Sequence, residues 1–112
     1  IYIEFNLMIE NKNQNINALE NIEQNENNVF LDVRTPTEYS EGHIEGSINI
    51  DVMSENFTKK LESLNKDNNY FVICRSGGRS ESACSAMVSA GYGNLTNMEG
   101  GMMSWMGKTK SL

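Results

Sequence analysis

Cysteine is scarce, with two residues in a chain of 112, so one disulfide at most can form and a disulfide-stapled scaffold is excluded. With only one histidine beside them, the cysteines cannot supply the four Cys/His ligands of a structural zinc site, and no metal is expected. No apolar run approaches the roughly 18–20 residues a membrane helix needs. Basic residues are also few. Nine Lys and Arg stand against fifteen Asp and Glu, a net charge of −6, so no nucleic-acid partner is expected. The chain starts Ile1-Tyr2, and no basic segment followed by an apolar stretch marks an intact signal peptide. A cytoplasmic location is the expectation, although a cleaved export signal would leave no trace. Internal repeats are absent. Sixteen asparagines read as compositional bias, not as a functional signal.

What remains suffices for one domain with one core, since 38% of residues are hydrophobic. Residues 1–9 alternate in part and fit a strand or a leader, and polar residues 10–15 read as a loop. Ile16, Leu19 and Ile22 recur at helical spacing, which predicts a short amphipathic helix over 16–24. Val29 to Val33 is a short apolar run of the kind buried on both faces of a parallel sheet. Thr35-Pro36-Thr37-Glu38 carries a helix start, with Thr as cap, Pro first and Glu third. Ser47–Ile50 predicts a strand, and Phe57, Leu61 and Leu64 a helix. Tyr70–Ile73 is the most apolar strand. Ala83, Ala86, Met87 and Ala90 form a helical stripe closed by Gly91. A last strand over 94–98, a turn at Gly100-Gly101 and a short helix over 102–106 follow. This alternation argues for an α/β fold with a largely parallel sheet.

The chemistry concentrates in residues 74–80. Cys74 ends a buried strand, and Arg75, Ser76, Gly77, Gly78, Arg79 and Ser80 connect it to the next helix. Ligands of open parallel sheets bind beyond the carboxyl ends of strands. Gly77-Gly78 lets successive N–H groups turn inward, and the helix start adds free donors and a positive dipole end. The loop is therefore expected to form a cup of donors with a sulfur at its base. Such a setting lowers a thiol pKa, and Arg75 and Arg79 add charge. The third arginine, Arg34, follows the neighbouring strand end, so every guanidinium lies just beyond two strand termini.

In these features the chain resembles the rhodanese-like sulfurtransferases, over about residues 16–106. The stretch Asp32-Val33-Arg34 through Glu38-Tyr39, Gly42-His43-Ile44 and Gly46-Ser47 matches one family motif. Cys74 to Ser80 matches the active loop C-R-S-G-x-R-S, and Gly100-Gly101 with Trp105 matches the closing signature. Glu45 and Asp51 stand where the family often has Pro, and Ser47 where it has Ala. The resemblance implies a three-layer α/β/α sandwich around a mostly parallel five-stranded sheet of order 3-2-4-5-1. It also implies a reaction without cofactor. The Cys74 thiolate takes a sulfane sulfur from a small donor such as thiosulfate, and the persulfide passes it to cyanide or a thiol. A protein acceptor is left open.

Two other readings stay open. Noncatalytic modules of this fold commonly lack the cysteine, which is present here. Cysteine phosphatases and arsenate reductases of the same fold use a longer loop, with five residues between Cys and Arg where this chain has four. Among the remaining residues, Asp32 and Arg34 read as supports that brace the site, and Arg75 or Arg79 is a candidate partner for a carboxylate such as Glu99. His43 reads as a hydrogen-bonded structural residue, because a persulfide cycle needs no base once the thiol is ionised. Cys84 and Trp105 read as packing residues, and Met98, Met102, Met103 and Met106 as core or pocket rim. The expected division is a leader or edge strand over 1–15, a rhodanese-like domain over 16–108 and a short tail over 109–112.

Overall fold

The computed structural model describes residues 10–112. The strand predicted over 1–9 lies outside these residues. The first element described is a strand, β1 (Glu10–Asn15), where the sequence reads as a loop. It pairs in parallel with β5 (Asn94–Glu99), from Glu10↔Asn94 to Asn15↔Glu99. The polarity that hides it has a physical reason. As the last strand among the described residues, with residues 12–15 exposed, it contains no apolar side chain to bury and needs no alternating pattern. Polar side chains also discourage further pairing along an open edge.

A 3₁₀ helix over Ile16–Asn21 replaces the predicted α-helix. Its three-residue turn places Ile16 and Leu19 one above the other, and both are buried. The chain continues through β2 (Asn28–Asp32), α1 (Pro36–Glu41), β3 (Ile48–Asn49) and α2 (Phe57–Leu61). Then come β4 (Asn69–Ile73), α3 (Gly78–Ser89), β5 and α4 (Gly101–Ser104). α2 stops before Leu64 and α4 before Trp105, both shorter than their apolar spacing predicts. The cap of α1 is as predicted. Thr35 accepts from the Glu38 backbone, and the Glu38 side chain accepts from Thr35 in return.

The sheet order is β3-β2-β4-β5-β1, and every pair is parallel. Successive strand residues serve opposite faces. Leu31 and Val72 pack with Phe57, Leu61, Ala83 and Met87 on one side, whereas Phe30 and Ile73 pack with Ile16, Leu19 and Ile44 on the other. Two separate cores therefore sandwich the sheet, an α/β/α arrangement in three layers. Because all strands run one way, β2, β4 and β5 deliver their following loops to the same edge. Residues 108–112 lie against α1, where Lys110 and His43 exchange backbone hydrogen bonds of 2.9 and 2.8 Å. No helix among the described residues is long and apolar enough to cross a membrane.

Candidate active site

Cys74 leaves β4 buried, with 1% of its surface exposed. The loop then folds back over it. Gly77 adopts φ 111°, a left-handed conformation, and its N–H donates to Cys74 Sγ at 2.9 Å. Gly78 has no positive φ, and a Cβ there would meet nothing, so only the first glycine of the pair is required by conformation. The Ser80 hydroxyl lies 3.3 Å from the sulfur, and the first turn of α3 begins beside it.

The sulfur is held by opposing effects. Burial pushes the thiol pKa up. Hydrogen bonding with the Ser80 hydroxyl and from the backbone N–H groups of Ser80, Gly77 and Ser76 more than offsets this, so the thiol sits below its ordinary value. These neutral donors are the main cause of the lowering, and the charge of Arg79, which interacts with Cys74, is secondary to them.

The three arginines take different roles. Arg34 makes a forked pair with Asp32, at 2.9 Å from Nε to Oδ1 and 2.7 Å from Nη2 to Oδ2, and donates to the Gly42 carbonyl at 2.9 Å. Asp32 and Arg34 thus tie the end of β2 to the turn after α1. Arg79 donates to both oxygens of Glu38, at 2.7 and 2.8 Å. The carboxylate expected at this point is Glu99; Glu38 takes its place because β2 and β4 are adjacent, which brings the helix starts that follow them together. The Arg79 hydrogen bond holds the Glu38 carboxyl down to about 2, with burial opposing and Thr35 assisting. Arg75 is exposed and has no ion pair among the described residues. It lines an open cleft of about 390 Å³ with Arg34, Glu38, Glu41, Met102 and Met103.

The closing glycines are structural necessities. The N–H groups of Met102 and Met103, at the start of α4, donate to the carbonyls of Cys74 and Arg75 at 2.8 and 2.9 Å. A Cβ on Gly101, whose φ is +56°, would lie 2.4 Å from those carbonyl oxygens. Trp105 packs against the second core, and Met98 lies inside it. Met102 and Met103 line the cleft, and Met103 and Met106 are largely exposed. His43 stacks on Tyr39 at 3.7 Å, with Nδ1 at 2.7 Å from the Tyr39 carbonyl oxygen. Cys84 is fully buried in the first core, and burial pushes its thiol pKa up to about 12.

Sequence reading misses Glu38 as the Arg79 partner, and Asn97, whose Oδ1 accepts from Ser80. The capping motif draws attention to Glu38 for another reason. Asn97 stands out only as a polar residue in a strand. A larger groove of about 570 Å³, between Lys12, Phe71 and Asn94, carries no thiol, imidazole or carboxylate among the described residues.

A strand-end cysteine in a loop of amide donors, between buried parallel strands, defines a class of protein. The Rhodanese-like domain family matches residues 15–108, and the chain belongs to that family. YtwF of Bacillus subtilis (strain 168) is 41% identical over 91 residues, which cover 81% of this chain and 85% of YtwF. Thiosulfate sulfurtransferase 16, chloroplastic, of Arabidopsis thaliana is 35% identical over 86 residues, covering 68% of this chain and 72% of that protein. The chain spans about half the length of some other relatives. The crystal structure of a rhodanese-like domain protein from Staphylococcus aureus superposes with a TM-score of 0.77 at 28% identity. It covers 90% of this chain and 98% of that one.

Proposed function

We propose that this protein is a sulfurtransferase that carries a sulfane sulfur on Cys74, with thiosulfate as donor and cyanide or a thiol as acceptor. The observation that carries the reading is the Cys74 sulfur itself, held in the loop by Gly77 N–H and the Ser80 hydroxyl with its pKa lowered. A thiolate is the nucleophilic form of cysteine. It attacks the outer sulfur of thiosulfate. A bond forms from Sγ to that sulfur, the bond to the sulfonate breaks, and its electron pair leaves with sulfite. The persulfide charge then rests on the outer sulfur, where loop N–H groups can receive it. An acceptor attacks this sulfur, and the electron pair returns to Sγ. The two half-reactions share one covalent intermediate, so ping-pong kinetics follow.

The arginines divide the remaining work. Arg79 is committed to Glu38 and Arg34 to Asp32, which leaves Arg75 to meet an anionic donor at the cleft. Asp32 and Arg34 brace the turn after α1 at the side of that cleft. The test is thiocyanate formation from thiosulfate and cyanide, measured over both concentrations. Parallel double-reciprocal lines are expected, and Cys74→Ser should abolish the signal. Intact Cys74 with no thiocyanate, and no product from a persulfide donor, would favour a noncatalytic module. Turnover of an aryl phosphate instead would favour the phosphatase reading.

A further inference from the structure

Ser80 has one hydroxyl proton and more than one claimant for it. Its oxygen lies 3.3 Å from Cys74 Sγ and 3.1 Å from the Gly77 carbonyl oxygen, and it hydrogen-bonds to Asn97 Oδ1. The Gly77 carbonyl does not depend on Ser80, because the Glu81 N–H donates to it at 3.2 Å. Asn97 does depend on it. Its side chain is buried, with 4% of the residue exposed. Its amide is fixed in one sense, since Nδ2 faces two acceptors, Asn13 Oδ1 at 3.1 Å and the Gly77 carbonyl at 3.4 Å. Turning the amide over would set Oδ1 against that carbonyl. Asn13 belongs to β1 and is the register partner of Asn97 in β5. The polar edge strand therefore locks the amide that faces Ser80.

The states of the sulfur follow from proton counting. As a thiol, Cys74 donates to Ser80 and Ser80 donates to Asn97, so every group is satisfied. As a bare thiolate, the sulfur competes with Asn97 for the serine proton, and when the sulfur takes it Asn97 Oδ1 is left buried without a donor. As a persulfide, the charge sits on the outer sulfur, Sγ becomes a weak acceptor, and the serine proton stays with Asn97. We propose that Asn97 is a positioning residue whose amide fixes the direction of the Ser80 proton, disfavouring bare charge on the Cys74 sulfur while leaving the sulfur-loaded form undisturbed. The loaded form rests on the sulfur-transfer reading; the effect on the bare sulfur does not.

The ionisable groups bearing on this corner are Arg79, Cys84 and Glu81 of α3, Glu38 of α1 and Asp51 after β3. None is altered by the variants that follow. The experiment is the pH dependence of Cys74 alkylation by iodoacetamide, with the adduct assigned by peptide mass. Asn97→Ala should move the midpoint down by about one pH unit, the size of one hydrogen bond to a charged group. Asn97→Asp keeps the acceptor and adds charge, so it should move the midpoint up. Ser80→Ala should also raise it, and adding Asn97→Ala to Ser80→Ala should change nothing further. An unchanged or higher midpoint in folded Asn97→Ala overturns the proposal, as does the same downward shift without Ser80. If Asn97→Ala does not fold, a midpoint for Asn97→Asp at or below that of the wild type overturns it. In parallel, thiosulfate-treated Asn97→Ala should retain sulfur for less time than the wild type, as read by intact mass. If the wild type takes no sulfur, the sulfur-transfer reading fails while the alkylation series still decides the role of Asn97.

Discussion

Cys74 and Cys84 lie ten residues apart, and both are buried, at 1% and 0% exposure. Burial alone would make both inert, because removing a thiolate from water raises its pKa. Cys84 obeys that rule and is pushed up to about 12. Cys74 departs from it because three N–H groups of the loop and the first turn of α3 are aimed at its sulfur and the Ser80 hydroxyl hydrogen-bonds with it. The difference is one of backbone direction. A mid-helix N–H is spent on the carbonyl four residues earlier, whereas the loop and first turn before α3 have donors to spare. The opposite shifts of the two thiols are a property of the chain's path rather than of the residue type.

The comparison breaks most completely with Cys74→Ser, which should lower thiosulfate turnover by roughly a thousandfold or more with the fold intact by circular dichroism. Gly101→Ala comes next. A Cβ would strike the Cys74 and Arg75 carbonyls that α4 caps, and denaturant unfolding should show a loss of about 2–4 kcal/mol. Arg75→Ala should cost about tenfold in kcat/KM for thiosulfate, the value of one charge-assisted contact. A persulfide donor, which lacks the sulfonate, should lose less. Equal losses for both donors would mean that Arg75 acts on the loop and not on the donor.

Smaller effects sharpen the contrast. Glu38 has its pKa depressed from 4.5 to about 2 in the folded chain. Its pairing with Arg79 therefore stabilises the fold fully above about pH 4.5, and that contribution is lost as pH falls towards 2. Glu38→Gln should flatten the pH dependence of stability across that window. The smallest effect is expected from Cys84→Ser, which should keep turnover within a few-fold of wild type. A loss as large as that of Cys74→Ser would revive a redox role for Cys84.

Much of this was legible from local pattern. Thr35, Pro36 and Glu38 announce the cap of α1. The apolar run before Cys74 announces a buried strand. The Cys74–Ser80 loop, on its own residue types, points to an anion-receiving cup. Resemblance added the strand order. Two kinds of feature were hidden. β1 is polar throughout and its residues 12–15 are exposed, so no periodicity betrays it. The pairings Arg79–Glu38 and Ser80–Asn97 join residues 41 and 17 positions apart. They exist only because the sheet sets β2 and β5 on either side of β4. The short helices were misjudged for a related reason. Leu64 and Trp105 pack from outside helical turns, so apolar spacing overstates helix length.

The most direct test of the account is to treat the protein with thiosulfate, digest it, and weigh the two cysteine peptides. The Cys74 peptide should gain the mass of one sulfur atom and lose it on addition of cyanide, while the Cys84 peptide stays unchanged throughout. Sulfur on Cys84, or on neither cysteine, would contradict the claim that loop donors rather than burial select the reactive thiol.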